Sequence, residues 1–457
     1  MNTRRDFLLS SAATLAGASI GAESLLGQDA SIGSPSIDVR QDVEVLMPRD
    51  RVPLSFVIDD STCLVNMGHF CTPQFATAWP KRDEYKKPWR EWPREIPDAF
   101  VREFGEWCAQ NGVKGKYSIV PFPACVGWVD RVMPGWSRRE LEDSLELVRD
   151  LMVPNWDIHP EMITHTRVID LKTGRPRAEI NAGTMENSFP QEKKSVDELA
   201  SYLAYALRIL HRAGLPCEGV TTPGGFGNLV KSELSMAVDQ AVRDVYSTDL
   251  PHYFKYVRGG DQSTEPILEH LRGVGTNDVR LTVNVPAGTG DWFGGWQGDR
   301  KSETDRYATV DASEGRMVDL IQQRKPAVML CHWPGMYSNG TKEGFHAFQR
   351  VVTSLHDRFA DQSIWMKLSE IGRYWTAKQL TRIEKSNDSL VFNAPFATAN
   401  FTIKIPSSKG RVRLGQEVLP QVTKLANLKS GTWVQQDEGI VVCFDLPQGP
   451  STVFWST

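Results

Sequence analysis

The sequence is short of the features that usually announce a partner or a cofactor. Its seven cysteines (Cys63, Cys71, Cys108, Cys125, Cys217, Cys331 and Cys443) are odd in number and irregularly spaced, with no C-x-x-C. That pattern excludes a disulfide framework and a structural zinc ribbon, and leaves a Cys63–Cys71 pair as the one bridge worth testing. The remaining thiols read as small buried hydrophobes. There is no long Lys/Arg run, and 52 basic residues against 56 acidic ones leave a formal charge of −4. Nothing in that balance favours a nucleic-acid partner. No G-x-G-x-x-G follows the first apolar strand, which removes the dinucleotide-binding reading. After the amino-terminal segment, no stretch reaches the ~20 strongly apolar residues a membrane span needs, so the mature chain is expected to carry no transmembrane segment.

What is present begins with a targeting pattern. Thr3-Arg4-Arg5-Asp6-Phe7-Leu8 puts an arginine pair directly before an apolar run from Leu8 to Ala22. Residues 1–28 therefore read as a twin-arginine signal peptide, cut after about residue 22, and the expected partner is the twin-arginine (Tat) translocation machinery. The expected location is the periplasm or beyond. Residues 29–50 read as an extended lead-in.

From Arg51 the texture changes. Val52–Ile58 is an apolar run that stops at Asp59-Asp60, and it reads as a buried strand. An apolar stripe of Phe100, Val101, Phe104 and Trp107 predicts a helix over 97–111, ended by Gly112. Ser137 with Glu140 has the form of a capping box opening the next helix. Strands near 113–122, 157–159, 219–222, 279–285, 327–331 and 364–368 alternate with helices at 195–213, 231–242, 313–324 and 345–358. Such alternation implies parallel β/α units and favours a barrel over residues 51–376, with an open doubly wound sheet as the alternative. After Thr376 the pattern switches to short alternating segments, predicting a small β-sandwich-like domain over 386–457.

In such a barrel the working groups gather at the carboxyl ends of the strands. Here those ends carry Asp59-Asp60, then Asp157-Ile158-His159 with His165 beyond it, then His332. Each residue taken alone also fits a turn cap or a satisfied core histidine. Their joint occurrence at three strand ends points to a divalent metal of the zinc type.

The pattern resembles the polysaccharide deacetylase family. Phe56-Val57-Ile58-Asp59-Asp60 is similar to that family's first motif, the His159-to-His165 segment to its histidine pair, and Leu330-Cys331-His332 to its Leu-x-His. The resemblance covers about residues 51–376 and implies a distorted (β/α) barrel. It implies Asp59 as general base, Asp60, His159 and His165 as metal ligands, and His332 as general acid. Two departures stand out. The family spacing is H-x₃-H, whereas this chain has H-x₅-H, with Glu161 available as a replacement ligand. The family's Arg-x-Pro, whose Arg orients the base, is Thr221-Thr222-Pro223 here.

The expected activity is removal of acyl groups from a carbohydrate, with Trp292, Trp296, Trp333 and Asp291 as candidate substrate contacts; flat aromatic faces beside polar groups suit a sugar ring. Two alternatives share the fold: a glycoside hydrolase using Asp59 and Asp291, and a non-catalytic carbohydrate-binding protein.

Overall fold

The structure, a computed structural model, describes residues 43–276, 278–386, 388–406 and 408–456. The arginine pair and the apolar run behind it lie outside the described residues.

Val52 to Asp59 is a continuous apolar-rich strand buried on both faces (β1, Val52–Asp59), as expected of a parallel strand covered from both sides. Two helices follow, α1 (Met67–Ala78) and α2 (Asp98–Gln110). The order then runs β2 (Gly115–Ser118), α3 (Arg138–Leu147), β3 (Trp156–His159), α4 (Val196–Arg212), β4 (Gly219–Thr221), α5 (Lys231–Tyr246) and β5 (His252–Phe254). β6 (Ile267–Arg272), β7 (Arg280–Asn284), α6 (Arg316–Gln322), β8 (Ala327–His332), α7 (Glu343–Phe359), β9 (Ser363–Trp365) and α8 (Leu368–Leu380) complete this part.

The local signals act as the sequence leads one to expect at two helix starts. Ser137 and Ser195 both cap their helices, each bonding the Glu three residues on in a reciprocal box, which satisfies two orphan N–H groups apiece. Ser313 differs. Its hydroxyl is spent on Asp311, and the helix starts only at Arg316.

The strands lie in two mainly parallel sheets, β8-β1-β2-β3 and β4-β5-β7-β6. β9 adds to the start of β1, and β6 alone runs antiparallel. The sheets meet at two seams, one where Thr221 donates its N–H to the Pro160 carbonyl (3.0 Å), the other where Gly288 donates to Val328 (2.8 Å). Register sets His332 opposite Asp59, Lys116 opposite Asp157, and Ser118 opposite His159. Paired residues in parallel strands share a face, so these polar side chains converge on one interior.

The longer strands that follow are β10 (Arg382–Ser386), β11 (Ser389–Ala394), β12 (Thr398–Pro406), β13 (Arg411–Leu414), β14 (Thr432–Gln436), β15 (Gly439–Leu446) and β16 (Gly449–Ser456). They form two largely antiparallel sheets. Phe392 of one packs edge-on against Phe401 and Phe444 of the other, at 6.1 and 5.4 Å between ring centroids. Glu44–Val45 pairs with β12, so the described end of the lead-in belongs to this sheet. The seven cysteines are all free, Cys63 and Cys71 included.

Candidate metal centre and active site

β1 delivers two adjacent carboxylates to the same end of the sheet, and alternation aims them differently. Asp59 is the last strand residue. Asp60 turns the chain in the left-handed region at φ 58°, a conformation that a non-glycine residue adopts at a cost and that concentrates at functional sites. Its backbone N–H donates to Glu161 Oε2 at 2.8 Å, and the Ser118 hydroxyl donates to the same oxygen at 3.1 Å.

Glu161 and His165 sit on the loop after β3. Pro160 stops the strand, and Met162 and His165 both have positive φ, 53° and 63°. One carboxylate holds that conformation. Glu186 accepts the backbone N–H groups of Ile163 (3.1 Å), Thr164 (3.0 Å) and His165 (2.6 Å), together with the Tyr202 hydroxyl (2.5 Å). Burial pushes Glu186 up to about 7, against the pull of those donors.

The loop brings three ligand-bearing side chains together. His165 Nε2 lies 2.8 Å from Asp60 Oδ1 and 3.4 Å from Glu161 Oε1, with all three side chains 8% exposed or less. The 2.8 Å approach lacks hydrogen-bond geometry, and Asp60 Oδ1 is buried with no hydrogen-bond partner. An orphaned carboxylate oxygen crowded by an imidazole and a second carboxylate fits a divalent cation held in common, since buried charge needs compensation. Without an ion, a proton supplies it. Burial pulls His165 down, but Asp60 and Glu161 together raise it well above the ordinary imidazole range. Burial likewise raises Glu161, yet His165 and Lys116 bring it down to about 2.

His159 is not in this trio. It ends β3 inside the sheet, where its Nε2 faces His252 Nε2 at 2.9 Å and its Nδ1 meets Thr221 Oγ1 at 3.2 Å. The expected H-x₅-H pair therefore divides between two groups, each able to hold an ion: Asp60 with Glu161 and His165, and Asp157 with His159 and His252. The reason is steric. A strand residue before Pro160 cannot swing to the loop, whereas Glu161 lies four residues before His165 and returns to face it, restoring the x₃ spacing. In the second group, burial and the neighbouring imidazole hold His159 well below its usual range, and burial takes His252 down to about 4.

Lys116 is the residue that sequence reasoning missed. It lies on β2, wholly buried, and donates to Asp59 Oδ1 (2.5 Å), the Ser118 hydroxyl (2.7 Å) and the Ile58 carbonyl (2.9 Å). A cation thus faces Asp59 from β2, while Thr221 binds His159. Burial and the Glu161 charge raise Asp59 to about 6, with Lys116 and His332 opposing them. The one available signal is the placing of Lys114 and Lys116 at the start of the stretch 113–122, where a lysine also reads as an exposed strand position.

His332 ends β8 opposite Asp59. Its Nδ1 is 2.8 Å from Asp291 Oδ2, which also accepts the His332 backbone N–H at 3.2 Å. Burial pulls His332 down, but the Asp291 hydrogen bond and the Asp60, Asp291 and Asp59 charges bring it to about 9. A quarter of its side chain is exposed, so the ring sits at the open side of the cluster. Asp291, expected among the substrate contacts, is committed to this ring.

The expected aromatic contacts separate. Trp333 follows His332, points to the opposite side of β8, and is fully buried against Phe100, Phe104 and Tyr117. It is core and no substrate wall. Trp292 is half-buried on Tyr307, with the Arg306 guanidinium 4.1 Å above its ring. Trp296 is half-buried against Phe75 and Tyr85, and Phe75 in turn lies 6.1 Å from the His165 ring.

No protein-family profile matches the chain, and no curated protein does. Among solved structures it is similar to a probable polysaccharide deacetylase from Pseudomonas aeruginosa PAO1, at 10% identity and a TM-score of 0.36, over 71% of this chain and 91% of that one. At that identity and score the likeness says nothing about activity.

Proposed function

We propose that the chain is a metal-dependent hydrolase that removes acyl groups, acetyl foremost, from a carbohydrate, on a distorted barrel built from the two parallel sheets. The observation that carries the reading is the convergence of one buried ligand trio with a paired base and a paired acid. Asp60, Glu161 and His165 make the trio, Asp59 with Lys116 the base, and His332 with Asp291 the acid. A zinc-type cation held by the trio would supply Lewis-acid polarisation of the acyl carbonyl.

The chain's own residues account for the protons. Asp59 accepts a proton from the attacking water at its carboxylate, and Lys116 fixes that carboxylate in place. His332 donates its proton to the departing nitrogen or oxygen as the acyl bond breaks, and Asp291 holds the ring and its charge. Asp59 must be ionised and His332 protonated, so turnover should rise through about pH 6 and fall above about pH 9. Half-buried Trp296 and Tyr85 beside Phe75 offer aromatic faces for a sugar near His165. The glycoside-hydrolase reading has less support, because Asp59 is tied to Lys116 and Asp291 to His332. The binding-only reading also has less support, because Lys116 sets a cation beside Asp59 where Thr221-Thr222-Pro223 offers none.

The test is acetate release from N-acetylated and O-acetylated oligosaccharides by the zinc-loaded chain. Asp59→Asn and His332→Ala should each lower kcat by about 10²–10⁴-fold. Absence of turnover on every acetylated sugar would falsify the reading. The same proposal places the protein outside the cytoplasm on the strength of Arg4-Arg5 and the run behind them. Replacing both arginines with Lys should leave it inside the cell, and unchanged export would sink the assignment.

A further inference from the structure

The second histidine group takes no part in that chemistry. Asp157 and His159 alternate to the same side of β3, and His252 opens β5 two strands away. Between them lies Gly219 of β4, in register with His252. A Cβ there would stand 2.7 Å from His159 Nε2 and 2.9 Å from His252 Cε1. Any side chain on β4 at this point would fill the space where the two rings face each other.

We propose that Asp157, His159 and His252 form a second, structural cation site that ties β3 to β5 across β4. The donors are two imidazole Nε2 atoms, 2.9 Å apart, and Asp157 Oδ2, 3.7 Å from His252 Nε2. This N₂O set suits zinc, cobalt or nickel, not magnesium or calcium, which prefer all-oxygen shells. Supporting contacts orient two of the three ligands, as is usual around metal sites. His159 Nδ1 is engaged by Thr221 Oγ1, and Asp157 accepts the Ser369 N–H at 2.7 Å and its hydroxyl at 2.8 Å. His252 Nδ1 is buried with no hydrogen-bond partner.

The place is one of the two seams between the parallel sheets. The backbones of β3 and β4 meet at the seam between the two sheets, through the Thr221–Pro160 bond and the Glu161–Thr221 bridge, and the His159–Thr221 side-chain contact lies beside them. An ion linking β3 to β5 adds bonds there that the backbone ladder does not supply. Both rings are almost completely buried, which suits a structural ion and not one that meets substrate.

The experiment counts metal in the purified full-length chain after zinc loading and desalting, with cobalt substitution as a spectroscopic check. The wild type should hold two equivalents. Asp60→Ala/His165→Ala, which empties the first group, should keep one, and adding His252→Asn should remove it. Chelation should lower the Tm of Asp60→Ala/His165→Ala by several degrees and leave the triple variant unmoved. Zero metal in Asp60→Ala/His165→Ala overturns the proposal and leaves His159 and His252 as a plain hydrogen-bonded pair. That result does not touch the first group, whose own failure shows separately as equal metal content in wild type and Asp60→Ala/His165→Ala. If His252→Asn does not fold, the count in Asp60→Ala/His165→Ala still decides.

Discussion

Asp59 shows how far a single residue could be read in advance. Its place at the end of an apolar strand was visible in the sequence, because the Asp-Asp pair interrupts an otherwise uniform run. Its partner was not. Lys116 lies 57 positions away, and nothing in Gly115-Lys116-Tyr117-Ser118 says which face the lysine takes until register with β1 is known. Trp333 is placed by its own local context: it opens the short helix Trp333–Tyr337 after β8 and packs into the core against Phe100, Phe104 and Tyr117. The Asp59–Lys116 pair carries a stability prediction of its own. Removing one member of a buried pair typically costs about 3–5 kcal/mol, because the other charge is left uncompensated. Lys116→Met should show a loss of that order at pH 8 in urea unfolding of the metal-free chain. The sign with pH follows from Asp59, whose folded pKa of about 6 already exceeds the ~4 of an unfolded carboxylate and rises further in the variant. A group raised in the folded state favours folding at low pH, so the variant's deficit should shrink on acidification from pH 8 to pH 5. A deficit that is the same at both pH values would show that lost packing, not stranded charge, sets the cost.

At the scale of elements, the capped helices were the most legible parts, since Ser137 with Glu140 and Ser195 with Glu198 are local pairings that need no tertiary context. The ligand loop was the least legible. Its shape depends on Glu186, which binds three successive N–H groups from 21 to 23 residues downstream, and no periodicity encodes such a contact. This also explains why the histidine spacing misled: an H-x₅-H count assumes that both ends belong to the loop, yet Pro160 leaves His159 on the strand. Glu186 is accordingly a positioning residue for His165 and Glu161. Glu186→Ala frees three buried N–H groups and lets His165 leave its left-handed conformation. Zinc affinity of the Asp60 group, measured by competition with a chromophoric chelator in the His252→Asn background, should fall about 10–100-fold. Unchanged affinity would mean that the loop holds its shape through Met162 and its own packing, without the carboxylate.

The described residues are tied together more closely than a linear reading suggests. Thr376 lies within α8, which ends at Leu380, and from Arg382 on the strands are short and mostly antiparallel. A boundary drawn there hides contacts made by residues far apart in sequence. Glu44–Val45, ahead of β1, pairs with β12, and Arg49 donates its N–H to the Thr402 hydroxyl at 2.8 Å. Tyr374 on α8 donates its hydroxyl to the Leu46 carbonyl at 2.8 Å and accepts the Thr402 N–H at 3.2 Å. That phenol joins the last helix, the lead-in and the antiparallel sheet, and it is fully buried. Contacts of this kind make the antiparallel sheets part of the support for the parallel ones, since unfolding either set strands buried backbone groups on the other. The described chain should therefore unfold in urea as one cooperative transition, with fluorescence and circular dichroism coincident. Tyr374→Phe should destabilise it by about 1–3 kcal/mol by leaving the Leu46 carbonyl and the Thr402 N–H unpaired. A chain truncated before Arg382 should fail to give a cooperative transition at all, because the faces of α8 and of the Glu44–Val45 segment that β12 covers would be laid open. Two separated transitions in the intact chain, or a truncated chain that melts sharply, would instead show that the two parts fold independently and that Tyr374 is only a bystander at their border.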